Sequence, residues 1–184
     1  RLWADEGDRL SVARRMYAFR FGKIHPHRDI AVLRGVEGAR MKETYKLVAD
    51  RFRVPWQGRR YDRSNPNATD IPNQAINHAA TFVECAADVA VAAVGALPPL
   101  GFIHEDSSNA FTLDIADLYR AEVTIPLAFK VARKALDDPT LIIERTLRRE
   151  AAMEFRRTKL ISNMIERIKE LLNVDDGGSN TQRE

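Results

Sequence analysis

Glu37 stands between two glycines and two arginines, in the run Arg34-Gly35-Val36-Glu37-Gly38-Ala39-Arg40. Two glycines inside a helix cost roughly 1 kcal/mol each against alanine, so the pattern predicts close approach of something to the backbone around Glu37. Arg34 and Arg40 lie three residues either side of it, on the same helix face. A carboxylate so placed can ligate a metal whose phosphate ligands the arginines hold. Taken alone, the segment is more simply a surface ion-pair ladder with glycines for helix packing. Asp114-Ile115-Ala116-Asp117 puts two carboxylates at i and i+3, on one face of a helix, where hard oxygens suit Mg²⁺ or Mn²⁺. A charged exposed face gives the same spacing. His104 ends Gly101-Phe102-Ile103-His104, 13 residues before Asp117, and with Glu37 and Asp117 completes a mixed Glu/His/Asp set. His25 and His27 flank a proline in a basic loop, and His78 reads as a hydrogen-bonded core histidine. Rival chemistries have no support: the sequence lacks a Gly-rich phosphate loop, paired zinc cysteines, a nucleophile elbow and a dinucleotide fingerprint.

These residues must be positioned by helices. Apolar periodicity predicts a helix over Ser11 to Phe21, ended by Gly22 and Pro26, and a longer one over Asp29 to Phe52, stopped by Pro55. Residues 56–72 form a turn-rich loop, and Asp70 with Pro72 marks a helix start. From Asn73 to Leu97 the chain is Ala-rich and apolar on nearly all sides, which predicts a buried central helix. Pro98 to Gly101 breaks the chain, and Phe102 to Ser108 reads as either an extended piece or a turn. Ala110 to Leu136 reads as one or two helices with a break or kink at Pro126. Thr140 to Asn173 continues as helix. Strand patterns are nearly absent, so the fold class is all-α, a multi-helix domain.

The 184 residues suit one domain, and 45% apolar content supplies a real core. The longest apolar stretch, Val89 to Leu97, is far short of the roughly 20 residues of a membrane span, so no membrane partner is expected. The start is polar with no signal-peptide core, and the chain opens as though cut from something longer. Cys85, the single cysteine, rules out an internal disulfide; it reads as a small buried filler, and with no export signal the expected location is cytoplasmic. Charge is uneven. Residues 1–63 carry 16 Lys/Arg against 8 Asp/Glu, and residues 64–127 carry 1 against 8. A basic block beside an acidic block fits phosphate binding next to a cation site; on charge alone, two faces that neutralise each other are the better reading.

Motif order and spacing add to this. The runs LRGVEGARMKETY, WQGRRYD, NQAIN, LGFIHED, FTLDIADLYR and IPLAFKVAR follow one another as in the integrase subunit of the CRISPR adaptation machinery. The sequence resembles the subtype I-E branch of that family from about Arg14 to about Leu171. The resemblance implies residues 1–10 as a connecting segment, 11–173 as the helical catalytic domain and 174–184 as a flexible tail; the family's N-terminal β-domain is absent from this chain. It implies catalytic roles for Glu37, His104, Asp114 and Asp117. The metal ligands among them are Glu37, His104 and Asp117, and Asp114 is an acidic neighbour. DNA contacts fall on Arg34, Arg40, Arg59, Arg60 and Tyr61. A position that is basic in some relatives is Ser107 here, so no phosphate contact carries over to it.

The implied activity is that of a metal-dependent DNA integrase and endonuclease. The 3′-hydroxyl of a prespacer duplex attacks a phosphodiester at the edge of the CRISPR repeat, and water in its place gives hydrolysis. The implied cofactor is Mg²⁺ or Mn²⁺. Implied partners are the two DNAs and a small companion adaptation protein, with a homodimer in the full-length form. The alternative is a non-enzymatic helical DNA-binding or assembly module.

Overall fold

The computed structural model describes residues 2–24, 26, 29–60, 70–105 and 107–173. These form seven α-helices: α1 Glu6–Phe21, α2 Ile30–Phe52, α3 Ile71–Ala93, α4 Ala110–Leu118, α5 Ile125–Asp137, α6 Ile143–Thr158 and α7 Leu160–Leu172. A π-helical segment, Arg120–Thr124, joins α4 to α5. No strand occurs among the described residues, so the all-α expectation holds. Tyr61, His25, His27 and the segment 174–184 lie outside them.

The polar-to-apolar transitions read in the sequence are real caps. Asp29 accepts a hydrogen bond from the Ala31 N–H at the start of α2. Asp70 accepts from the Asn73 N–H, with Pro72 in the first turn of α3, where no N–H is needed. The first helix begins earlier than expected, at Glu6, so half of the supposed connecting segment is helical. Asp5 caps it, and Glu6 and Asp8 favour its positive end.

Helix α3 is the axis of the domain. It packs against α4, α5, α6, α7 and the π segment. Its buried alanines, Ala75, Ala79, Ala86, Ala87 and Ala90, have little side chain to exclude a neighbouring backbone. It is not buried all round: Thr81, Cys85, Asp88, Val89 and Ala92 make an exposed stripe at helical spacing. Cys85 is therefore a surface thiol, not a core filler, and His78 is only half-buried. Two apolar clusters flank the axis. One joins α1, α4 and α7 through Met16, Tyr17, Phe111, Ile115, Leu160 and Met164. The other joins α2, α5 and α6 through Tyr45, Ala49, Ile125, Phe129 and Leu147. Trp56 stacks on Tyr45 with ring centroids 5.2 Å apart and meets Phe129 edge-on at 5.3 Å, which pins the start of the 53–60 loop to the second cluster.

The predicted break near Pro126 takes the form of the π segment just before it. A wider turn there frees backbone groups that a proline two residues on cannot serve. The long C-terminal helix is two helices, because Lys159 adopts the left-handed conformation (φ 51°) between α6 and α7.

Candidate metal centre

Asp114 organises the loop that carries His104. Its carboxylate is 0% exposed. It accepts the backbone N–H groups of Phe102 (2.6 Å), Ile103 (3.0 Å) and His104 (3.1 Å). His104 Nδ1 lies 2.7 Å from Asp114 Oδ1. Since a carboxylate only accepts, Nδ1 carries the proton and Nε2 is left to face the site. That hydrogen bond holds the imidazole pKa above its ordinary value, against the opposing effect of burial. The segment left open between turn and extended piece is thus a turn wrapped round one carboxylate.

Other residues brace the same loop. Trp3 Nε1 donates to the Gly101 carbonyl at 3.0 Å, and Arg9 pairs with Glu105 at 3.4 Å. Gly101 is obligatory: a Cβ there would stand 2.2 Å from the His104 carbonyl oxygen and 2.7 Å from Ala110 Cβ.

Asp117, one turn beyond Asp114, faces the opposite task. Its Oδ1 forms an ion pair with Arg120 Nη2 at 2.7 Å. Its Oδ2 lies 3.2 Å from Arg20 Nη2 and 4.0 Å from His104 Nε2. Arg20 Nη1 donates to Glu37 Oε1 at 2.5 Å. One guanidinium from the end of α1 therefore bridges the Glu37 carboxylate of α2 and the Asp117 carboxylate of α4. A cavity of about 10 Å³, lined by Arg20, Phe21, Glu37, Arg40, Met41 and Asp117, adjoins it.

Two carboxylates and an imidazole Nε2 are a suitable donor set for Mn²⁺ or Mg²⁺. The two carboxylates already hold a positive charge between them. As they stand, however, no three such side chains close on one point among the described residues, and the Arg20 guanidinium lies between Glu37 and Asp117. The donor chemistry fits a divalent ion once that guanidinium moves.

Three contributors were not read from the sequence. Arg20 lies in no motif, and Arg120, though it ends the run FTLDIADLYR, has no role assigned from it. Glu84 of α3 sits in the electrostatic reach of Asp117, Arg120 and His104; burial pushes its carboxyl above 4.5, Arg120 pulls it back, and Asp117 raises it further.

The predicted arginines divide. Arg34 is exposed and reaches the Ile103 carbonyl at 3.5 Å, so it lies beside the His104 loop. Arg40 is exposed and its guanidinium lies 5.9 Å from the Phe21 ring centroid. Arg59 is committed to the fold: it donates to Asn73 Oδ1 (3.0 Å), Asn77 Oδ1 (2.5 Å) and the Arg60 carbonyl (2.8 Å). Arg60 is exposed, donates to Gln57, and stands with Arg59 at the N-terminus of α3. The expected close approach at Gly35 and Gly38 is not made among the described residues, where a Cβ at either would meet nothing within 4 Å.

The model of the family described as CRISPR associated protein Cas1 matches residues 5–140. The chain is 35% identical to the CRISPR-associated endonuclease Cas1 of Escherichia coli K12 over 173 residues, 94% of this chain and 55% of that one. The protein of the same name from Geobacter sulfurreducens is also 35% identical, with the same coverage. The chain thus spans about half the length of the curated relatives it matches. Among solved structures it superposes on a TtCas1–DNA complex with a TM-score of 0.85 at 33% identity, covering 95% of this chain and 64% of that one. With the family match running over residues 5–140, the chain belongs to the Cas1 family.

Proposed function

We propose that this chain is the C-terminal catalytic domain of a subtype I-E CRISPR integrase, a metal-dependent enzyme acting on DNA phosphodiesters. The observation that carries the reading is the pair of carboxylates, Glu37 and Asp117, held from separate helices on either side of one cation. In a Cas1-family chain, the neighbouring latched imidazole makes this pair a metal centre. Glu37, Asp117 and His104 Nε2 would hold the ion. When bound, a divalent ion offsets the charge of an anion attacked by an oxyanion and orients the nucleophile. The nitrogen ligand favours Mn²⁺ over Mg²⁺.

This chain's own residues do the rest. Asp114 fixes the imidazole tautomer and the loop, acting on the reaction through His104. Arg34, Arg40 and the open face at Gly35 and Gly38 leave room for a phosphate backbone beside Glu37. In the transfer step, the 3′-oxygen of a prespacer forms a bond to a repeat phosphorus, and the bond to the departing 3′-oxygen breaks. With water as nucleophile the same cleavage is hydrolysis. The partners are prespacer and repeat DNA, a small companion protein and a second copy of the full-length chain, acting in the cytoplasm. Among the described residues no helix is long and apolar enough to cross a membrane.

The test is a strand-transfer and nicking assay on branched DNA, with and without Mn²⁺, for Glu37→Ala, His104→Ala and Asp117→Ala. Each is expected to lose activity by at least roughly a hundredfold while melting as a folded domain. Full activity in His104→Ala would overturn the metal centre. A second reading, a non-enzymatic helical DNA-binding module, is favoured by the absence of a closed three-donor group among the described residues. It predicts DNA binding without any Mn²⁺-dependent product.

A further inference from the structure

We infer that Arg20 is the resident counter-cation of this site: its guanidinium holds Glu37 and Asp117 together without metal, must leave when a divalent ion enters, and so sets the affinity for that ion. The inference rests on the metal-centre reading above. Three observations carry it.

The first is placement. Arg20 bridges the two carboxylates proposed as ligands, at 2.5 and 3.2 Å. An ion coordinated by both needs oxygens that the guanidinium now engages.

The second is incomplete satisfaction. The Arg20 side chain is only 6% exposed, yet its Nε and Nη2 have no hydrogen-bond partner among the described residues. Nη2 lies within ion-pair distance of Asp117 but off the hydrogen-bond line. Buried donors are normally paired, and a guanidinium built only as a structural tie would use its fork in full. The unmade bonds lower the cost of leaving, and they remain available to an incoming acceptor such as a phosphate oxygen.

The third is space. The adjoining cavity, about 10 Å³, is about the size of one water. A divalent ion keeping even part of its hydration shell does not fit unless Arg20 moves. The local charge argues the same way: Arg120 already compensates Asp117 on its other oxygen, so an ion added to an unmoved Arg20 would meet two guanidinium groups.

The opposite role is a positioning residue that holds the carboxylates ready for metal. The two roles differ in sign. Mn²⁺ binding is titrated by electron paramagnetic resonance for the unmodified chain, Arg20→Gln and Arg20→Lys, with thermal melts on each. A released competitor predicts that Arg20→Gln binds Mn²⁺ roughly tenfold or more tightly, and that its metal-free form melts earlier because the carboxylates repel. Arg20→Lys, which keeps the charge but not the planar fork, should fall between. Equal or weaker binding by Arg20→Gln overturns the inference. Failure of both the unmodified chain and Arg20→Gln to bind Mn²⁺ overturns the metal centre itself, and the role of Arg20 with it. Should Arg20→Gln not fold, the unmodified chain decides. Its Arg20 Nε–H resonance is followed through a Mg²⁺ titration: a shift saturating with the metal supports displacement, and an unmoved resonance at saturation rules it out.

Discussion

Asp114 and Asp117 sit one helical turn apart, and what separates their roles is what each meets. Asp114 turns inward onto the backbone of residues 102–104 and is spent on it. Asp117 turns to the rim, between Arg20 and Arg120. Removing the Asp114 carboxylate orphans three N–H groups, two of them on buried residues, and frees the imidazole. Each buried donor left unmade costs about 1–3 kcal/mol, and the shared loop makes the losses less than additive. Asp114→Ala is expected to destabilise the domain by about 3–5 kcal/mol in urea unfolding, whereas Asp117→Ala should cost far less. A loss below about 1 kcal/mol for Asp114→Ala would mean the loop holds itself. The Asp-x-x-Asp spacing was legible in the sequence because helix periodicity puts both carboxylates on one side. The division of labour was not, because it depends on a loop ten residues away folding back onto one of them. Arg20 was illegible for a similar reason: nothing in Phe19-Arg20-Phe21 marks it, and its partners lie 17 and 97 residues further along.

Elements with strong local signals came through: the Asp29 and Asp70 caps and the alanine-rich axis are in the fold, but that axis ends at Ala93, before the expected stop at Pro98, where Val94 caps it and Gly95 turns left-handed (φ 71°). The α6–α7 break did not, since Lys159 in the left-handed region has no glycine to announce it. Nor did the exposed stripe of α3, where Cys85, Val89 and Ala92 outweigh the polar Thr81 and Asp88 in the apolar pattern. The loop between α3 and α4 offers a sharp test. Gly101→Ala places a methyl against the His104 carbonyl and Ala110. It is expected to cost about 2–4 kcal/mol and to loosen the His104 loop, read as faster amide exchange at Ile103 and His104. Unchanged exchange would show that the loop absorbs the clash elsewhere. Between α5 and α6 the tie is electrostatic. Glu150 is buried and accepts from Lys130 at 2.8 Å and from Lys134. Hydrogen bonds from Lys130 and Lys134 hold its carboxyl below 4.5. A depressed carboxyl contributes stability that is fully present above its unfolded-state pKa and is lost as pH falls through the folded one. Glu150→Gln should therefore cost about 1–2 kcal/mol at neutral pH. The gap between variant and parent should stay constant down to about pH 5 and close below it. A gap that persists at about pH 3 would assign the effect to packing of the side chain and not to its charge.

At the scale of the molecule, the split between a basic first third and an acidic middle is partly an internal matter. Arg9 with Glu105 and Arg20 with Asp117 join the two blocks across the fold, and Arg120, the one Lys/Arg of the acidic stretch 64–127, is also turned onto Asp117. Part of the positive block is thus consumed in closing the site, which charge counting along the sequence cannot separate from charge offered to a ligand. What remains exposed and near the site is Arg34 and Arg40; Arg60 is exposed at the other end of α3. Arg59, by contrast, ties the 53–60 loop to Asn73 and Asn77. This separates two kinds of arginine by experiment. If Arg34, Arg40 and Arg60 each contact a phosphate, replacing any one by glutamine should weaken duplex binding and lower the slope of log K against log salt by about 0.9. The domain's melting temperature should barely change. Arg59→Gln should do the reverse. It should cost about 1–2 kcal/mol of stability through the lost loop anchors, with a salt slope unchanged once the protein is folded. Fluorescence anisotropy across a salt series, paired with melts of the same variants, reads both quantities. A full drop in slope for Arg59→Gln with no loss of stability would mean that its contacts to Asn73 and Asn77 yield to DNA, and that it belongs with Arg60 to the basic surface.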